Sequence, residues 1–296
     1  MTIDLARAFA IGVSPLDAAE WFVIGGDLAR YLAEKQRLEA EHGDRVFMAE
    51  VGTDEAQREV LNLVALHLTE HHPALYSRDG DIVTVLPTGG SVDLGGRDEP
   101  ALKRAAHLVP DDLVIMRRGE SGWRIAAASL CFPSSWSLAA KFGRPLDEVH
   151  APVPDFAAGT RNATLIERMF DNLRPDMPVK RQNWSLYHDA ELYHPVGHAA
   201  GDIDPAATPG PLYLRRERQT LRKLPGTGDI LFTIRILVDP LEDVAASQGG
   251  GDVLRALATQ IGAMTPDQLA YKGMAGGRDT ILRRLADLAP SPAPAQ

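Results

Sequence analysis

The sequence predicts an α+β fold, in which a mainly antiparallel sheet has helices before, within and after it. Apolar residues recur at helical spacing in much of the first hundred residues, strand-like runs separated by glycine-rich turns begin at Asp112, and helical patterns return after Asp239. We expect a single domain over residues 1–288, with the core of the sheet between about residues 80 and 240. The proline-containing tail, residues 289–296, is expected to be disordered.

Two elements are predicted in the first hundred residues. Asp54, as an N-cap with Gln57 three residues later, predicts the start of an amphipathic helix. The helix is expected to bury the apolar side chains that recur at helical spacing, namely Val60, Leu61, Val64, Ala65 and Leu68. A strand is predicted from Ile82 to Leu86, and the polar stretch between Gly89-Gly90 and Gly95-Gly96 is predicted to be a loop.

The middle of the chain begins with a hairpin and continues with short helices. Leu113 to Arg117 and Trp123 to Phe132 have strand patterns, and the turn between them is rich in glycine. A short helix is predicted from Trp136 to Phe142, ending at Gly143. A second helical turn, opened by Pro145, ends at His150, because Pro152 and Pro154 force the next segment out of helical geometry.

Further strands and helices follow. The helical repeat of Leu165, Ile166, Met169, Phe170 and Leu173, stopped at Arg174-Pro175, predicts a helix lying on the sheet. The strands predicted after it are Val179 to Tyr187 and the two arms of a long hairpin, Leu212 to Leu224 and Ile230 to Val238. Arg235 lies among apolar residues of the second arm, so it is expected to have a buried partner. Thr265-Pro266-Asp267-Gln268 predicts a capped helix start.

Composition excludes several classes of protein. The net charge of −9, from 40 acidic and 31 basic residues, disfavours nucleic acid as a partner, and the one dense basic run, residues 215–223, alternates like a strand and so divides its charges between two faces. The single cysteine, Cys131, cannot form an intramolecular disulfide, which favours a reducing compartment. No run of about eighteen apolar residues and no leader-like start occurs, so we expect a cytoplasmic protein that does not span a membrane.

Two residues are candidate ligands for a metal centre. His150 ends a helical turn and meets a rigid Pro-Val-Pro segment, so its backbone is held while its ring can project toward a ligand. The alternative for His150 is a helix-end residue that interacts with the helix dipole. Cys131 could hold haem iron as a thiolate, but its apolar strand neighbours favour a small buried hydrophobic residue.

Other candidates are clustered further along the chain. His188, Asp189, Glu191, His194 and His198 offer ligands for a non-haem metal, although a polar loop explains them equally well. Arg218 and Arg235 could share one face of the hairpin, where they would either stabilise negative charge on a ligand or form buried ion pairs. Trp136 and Trp184 are candidates for the flat apolar wall of a cofactor site or for the core.

Several uncommon runs together resemble one family. The runs are Cys-Phe-Pro-Ser-Ser-Trp-Ser-Leu (131–138), Lys-Phe-Gly-Arg-Pro-Leu (141–146), Val-His-Ala-Pro-Val-Pro (149–154), Arg-Gln-Asn-Trp-Ser (181–185), Glu-Arg-Gln-Thr-Leu-Arg-Lys-Leu-Pro (217–225) and Leu-Phe-Thr-Ile-Arg (231–235). In this order they resemble the haem-dependent oxidative N-demethylase family, specifically its haem-binding alpha subunit. The resemblance extends from Tyr31 to Val244 and is densest between Cys131 and Arg235.

The resemblance implies a PAS-like fold that holds haem b and removes methyl groups from small secondary amines such as dimethylamine. Dioxygen and NADPH-derived electrons would be consumed and formaldehyde released, as expected of a monooxygenase-type oxidoreductase. Electrons would arrive through flavin and iron–sulfur subunits on other chains, since this chain has neither a dinucleotide-binding glycine fingerprint nor the cysteines for a cluster.

Mapped onto this chain, the resemblance implies roles for several candidate residues. His150 would be the proximal iron ligand, and an arginine near the iron, either Arg235 or Arg218, would tune its reactivity with oxygen. Arg144 and Arg181 would pair with the haem propionates, and Trp136 and Trp184 would contact the porphyrin. Two other functions stay open, a PAS-type haem or gas sensor and a non-haem metal protein, although no output module typical of a sensor follows the sheet.

Overall fold

The computed structural model describes residue 5 and residues 7–196 and 210–289. The strands in these residues are β1 Ser14–Pro15, β2 Phe47–Ala49, β3 Tyr76–Asp79, β4 Ile82–Val85, β5 Gly90–Asp93, β6 Asp112–Gly119, β7 Gly122–Ser129, β8 Val179–Tyr187, β9 Tyr213–Lys223 and β10 Ile230–Pro240. The helices are α1 Leu28–His42, α2 Asp54–His71, α3 Ala101–Ala106, α4 Leu138–Lys141, α5 Leu146–His150, α6 Arg161–Asn172, α7 Leu241–Ala246, α8 Gly250–Gly262, α9 Pro266–Tyr271 and α10 Arg278–Leu288. Two short 3₁₀ helices span Ala18–Glu20 and Gly43–Arg45.

A seven-stranded antiparallel sheet is the centre of the fold, which confirms the predicted α+β class. Its strand order is β1-β8-β9-β10-β6-β7-β2, and β3, β4 and β5 form a separate antiparallel sheet. The hairpin of β9 and β10 stays in register from Ile230 opposite Lys223 to Pro240 opposite Tyr213. The predicted hairpins and the strand from Val179 to Tyr187 are therefore confirmed.

Alternation along the strands divides the central side chains between two faces of the sheet. On β9, Glu217 and Gln219 face the same side as Ile234 of β10, because Gln219 is directly opposite Ile234. Arg218 lies on the other side, directly opposite Arg235. The expectation that these two arginines share a face is confirmed.

Helices cover both faces of the large sheet. On the Arg218 face, α2, α3 and the small sheet pack against β6 and β10, with Leu113, Ile115 and Leu231 buried in that cluster. On the Glu217 face, α4, α5 and α6 form a second layer, and α6 places Ile166 and Phe170 against the sheet as predicted. The helices α7, α8 and α10 pack against the ends of β8 and β9.

The first hundred residues required two corrections. The apolar face predicted for α2 is buried, but Thr53 occupies the N-cap position, because Asp54 already lies in the first helical turn. The predicted loop between the glycine pairs is wrong: residues Gly90–Asp93 form the edge strand β5. Val92 explains the difference, because this one apolar side chain is 7% exposed and pairs with Val83 of β4.

The remaining predictions about secondary structure agree closely with the structure. The helix expected from Trp136 to Phe142 is shorter, covering Leu138–Lys141, and begins after Ser137, whose hydroxyl accepts a hydrogen bond from the Ala140 backbone. The capping box at Thr265 and Gln268 is present. Residues 290–296 of the predicted disordered tail lie outside the described residues. Within the described ranges, no helix is long and apolar enough to cross a membrane.

Candidate functional site

A cavity lies between the sheet and the layer formed by α4, α5 and α6. Its volume is about 210 Å³, and it is partly open to solvent. One part has apolar walls, made by residues of β6, β7, β10, the helices α5 and α6 and the segment between these helices, namely Val114, Met116, Ile125, Leu146, Phe156, Ile166, Met169, Phe170, Phe232 and Ile234. A mainly apolar cavity with a few polar groups is typical of a ligand site.

Polar side chains of β8 and β9 line another part of the same cavity. Arg181 and Asn183 project from β8, and Glu217 and Gln219 project from the neighbouring strand. Lys141, Tyr271 and Lys272 reach this cavity from outside the sheet, as does His150. Two residues near the start of the chain, Phe9 and Ile11, also line the cavity. The cavity is therefore amphipathic, with most of its charge at one side of the sheet.

His150 is held at the end of α5, as predicted. The helix begins after Pro145, and the His150 carbonyl accepts a hydrogen bond of 2.8 Å from the Val153 backbone, which fixes the chain on both sides. Burial, together with the charges of Lys141 and Arg181, lowers the pKa of His150 to about 4. The imidazole is therefore neutral at physiological pH, which is the form that binds a metal.

Three cations line the cavity, and none has an acidic side chain within 4.0 Å among the described residues. Lys141 lies 4.4 Å from the centre of the Trp136 ring, and burial lowers its pKa to about 8. Lys272 donates to the Trp184 carbonyl, and burial also lowers its pKa to about 8. Arg181 donates to the Ala10 carbonyl at 3.3 Å.

The two arginines expected to be catalytic, Arg218 and Arg235, do not line this cavity, because they lie on the opposite face of the sheet. Arg235 is 1% exposed and donates to the Asp27 carboxylate at 2.6 Å, which is the buried partner that its apolar strand required. Arg218 donates to the carbonyls of Glu20 and Trp21. Their catalytic role stays a prediction, and the geometry gives it no support.

Besides His150, four residues are expected to contact the cofactor, and only two of them line the cavity. Trp136 and Arg181 line the cavity. Trp184 is buried with the C-terminal helices on the other side of β8, so it supports the site only through Lys272. Arg144 is exposed and lies outside the lining, because it follows Gly143 at the turn between α4 and α5.

The other candidate metal ligands among the described residues do not line the cavity. Cys131 is fully buried, and burial raises the pKa of its thiol well above the usual value, which fits the small hydrophobic residue predicted. The imidazole of His194 lies 3.2 Å from the Asp189 carboxylate. His198 lies outside the described residues. In the part of the chain that is described, no three His, Cys, Asp or Glu side chains are close enough together to hold a metal ion.

Sequence reasoning missed several polar residues of the cavity, namely Lys141, Asn183, Glu217, Gln219, Tyr271 and Lys272. For Glu217 and Gln219 a signal was available, because these residues and Leu221 alternate along one strand and so share a face. Lys272 follows α9, and nothing local in the sequence indicates that this helix end returns to the edge of β8.

The fold and the cavity define an α+β protein with a cavity whose apolar walls and cationic side chains suit a largely apolar ligand that carries negative charge. A family model described as haem-dependent oxidative N-demethylase, alpha subunit-like, matches residues 12–282. The chain belongs to this family, as its sequence predicted. The family description identifies haem as the cofactor and oxidative demethylation as the type of reaction.

The cavity residues fit a haem. His150 offers a neutral imidazole, and the apolar side chains offer walls for a porphyrin. Haem also carries two propionates, for which the unpaired cations provide counter-charges. Arg181 is the clearest of these, since its Nε atom is buried and has no hydrogen-bond partner among the described residues.

Proposed function

We propose that the chain is the haem b-binding subunit of a cytoplasmic monooxygenase-type enzyme that demethylates a small, dimethylamine-like secondary amine. In the overall reaction the amine, dioxygen, two electrons and two protons give the demethylated amine, formaldehyde and water. When bound, the haem would supply the oxidising chemistry. The observation that carries the proposal is a half-buried, neutral His150 in an amphipathic cavity of a chain that belongs to this family.

His150 would bind the iron as the proximal ligand. Its half-buried ring lines the cavity, with the Phe156 ring centre 6.3 Å away. Because Pro145 and the hydrogen bond at Val153 hold the ends of α5, the imidazole needs little reordering to bind a metal. Trp136 and the apolar side chains of β6, β7 and β10 would contact the porphyrin.

The cations of the cavity would have two tasks. Lys141 and Lys272 would pair with propionates as point charges, whereas Arg181 can form a two-pronged contact. Arg181 also carries a fixed charge, so it can stabilise negative charge that develops in the cavity during the reaction. We therefore propose Arg181 for the task that the family resemblance assigned to Arg218 or Arg235.

Electrons would come from NADPH through flavin and iron–sulfur subunits on other chains. The alpha-subunit description of the family supports a partner of this kind. The sequence supports it too, because one cysteine cannot hold an iron–sulfur cluster.

An absorption spectrum tests the cofactor. Protein purified from haem-replete cells should have a Soret band, which is lost in His150→Ala and retained in the matched control His194→Ala, whose ring lies outside the cavity. Wild-type protein that stays colourless after haem is added would contradict the proposal. Metal that is lost in His194→Ala but not in His150→Ala would instead support a non-haem metal protein.

A turnover assay tests the reaction. Haem-loaded protein, dimethylamine and a supplied reductase should release formaldehyde in proportion to the NADPH consumed. Binding of carbon monoxide or dioxygen without formaldehyde would favour a gas sensor over an enzyme.

A further inference from the structure

We infer that Glu217 selects the substrate by pairing its carboxylate with the ammonium group of a protonated secondary amine. The inference rests on the proposed function, because that proposal supplies the amine. It adds a specificity-determining residue that neither the family description nor the sequence resemblance assigns.

The position of Glu217 is fixed by the sheet. It lies in the middle of β9, between β8 and β10, opposite Asn183 on one side and Ile236 on the other. The residue is 9% exposed and faces the cavity. One carboxylate oxygen, Oε2, accepts a hydrogen bond of 2.6 Å from Gln219. The other oxygen, Oε1, accepts none from the described residues and is available to a ligand.

No basic side chain of the described residues forms an ion pair with the Glu217 carboxylate. Lys141, Arg181 and Lys272 line the same cavity, yet none comes within 4.0 Å of it. They are close enough for the Glu217 charge to raise the pKa of each, against the larger lowering effect of burial. A buried carboxylate is costly unless it is paired, so a cationic ligand would satisfy it.

The amine has the charge and shape that this place requires. A dialkylamine is protonated at neutral pH, as a lysine side chain is, and carries two N–H donors. In a cavity with three cations, a cationic substrate needs a local anion. Among the described lining residues, Glu217 is the only carboxylate. The Phe9 and Tyr271 rings, with centres 5.9 Å apart, also line the cavity and can contact the methyl groups and the charge.

Calorimetry on the haem-loaded protein tests the inference without turnover. Dimethylammonium chloride is titrated into wild type, Glu217→Gln and the matched control Glu120→Gln, which removes an exposed carboxylate from the β6–β7 turn. Glu217→Gln keeps an oxygen that can accept from Gln219 and is expected to raise the Kd by about 10- to 100-fold, as for a lost hydrogen bond to a charged group. Glu120→Gln should bind like wild type.

Dimethyl ether, a neutral isostere of dimethylammonium, distinguishes recognition of the charge from a change in the shape of the site. Wild type should bind dimethylammonium more tightly than dimethyl ether, and Glu217→Gln should lose this preference. If Glu217→Gln does not fold, Glu217→Asp, which keeps the charge, should keep the preference for the cation.

The possible failures are distinguishable. Absence of a Soret band in wild type contradicts the proposed function itself. Haem binding through His150 with equal dimethylammonium affinity in wild type and Glu217→Gln, or with no preference over the ether, overturns the role of Glu217 alone.

Discussion

Replacing Asp27 with Asn is expected to destabilise the fold by about 2–3 kcal/mol, because it leaves the buried Arg235 guanidinium without its carboxylate. Arg235 donates through Nη2 to Asp27 at 2.6 Å and through Nη1 to the Ile236 carbonyl at 3.1 Å, and it lies 4.0 Å from the centre of the Tyr31 ring. Its Nε atom has no partner among the described residues. The neutral amide of Asn keeps one acceptor but removes the charge.

The magnitude follows from the surroundings of the pair. Breaking a fully buried pair costs about 3–5 kcal/mol. Here the Asp27 side chain is 36% exposed, so water can replace part of the interaction. A second carboxylate, Asp111, also interacts electrostatically with Arg235. Both effects reduce the cost to about 2–3 kcal/mol, at or below the lower end of that range.

Urea unfolding followed by circular dichroism measures the effect, with Arg235→Met and the double variant completing a mutant cycle. Arg235→Met removes the buried charge and with it the need for a carboxylate. The double variant should therefore be more stable than the summed costs of Asp27→Asn and Arg235→Met predict. We expect a coupling of about 2 kcal/mol between the two positions.

Two results would refute this reasoning. One is a free energy of unfolding for Asp27→Asn within about 0.5 kcal/mol of wild type, the range of ordinary surface substitutions. The other is a folded Arg235→Met protein that has lost its Soret band, since Arg235 lies on the sheet face opposite the cavity. That second result would restore the role at the haem that the sequence suggested.

Three further predictions concern packing, pH and reactivity. Gly250→Ala should destabilise the fold by about 3 kcal/mol in the same unfolding assay, because the new methyl group collides with the Val244 carbonyl oxygen. The control is Gly262→Ala, which should be neutral or slightly stabilising, because no atom lies within 4 Å of the new Cβ. Burial lowers the pKa of His67 from 6.5 to about 4, so the unfolded chain binds more protons between these values and stability rises with pH across the window. Between pH 5 and pH 7, the free energy of unfolding of wild type should rise by about 1–2 kcal/mol more than that of His67→Leu. Equal rises would contradict the lowered pKa of His67 in the folded chain. Cys131 should react with a thiol reagent only after unfolding in urea, because burial raises the pKa of its thiol; rapid labelling of the folded chain would show that the residue is accessible.

Features that depend on local pattern were predictable from the sequence. The hairpin of β9 and β10 and the end of α5 at His150 follow from strand periodicity, glycine turns and proline positions. The need for a partner at Arg235 was also predictable, because a guanidinium among apolar side chains is costly when unpaired. The identity of that partner was not, since Asp27 precedes it by 208 residues.

The site was predictable only in part for the same reason. Local pattern identified His150 and Trp136, and the family resemblance added Arg181; all three line the cavity. The choice between the two faces of the hairpin was beyond local pattern. Two arginines at paired positions must share a face, but which face meets the helices α4 to α6 is decided by long-range packing.

The lining of the cavity extends along the chain from Phe9 to Lys272. During synthesis, the strands of the sheet leave the ribosome before α9 does, so the cavity is complete only when nearly the whole described chain has emerged. A cofactor that needs both walls would therefore be inserted after translation. By the same geometry, a fragment restricted to about residues 80–240 would contain His150 and Arg181 but would lack the Phe9, Tyr271 and Lys272 walls. Such a fragment should bind the ligand more weakly and exchange it more quickly than the full chain.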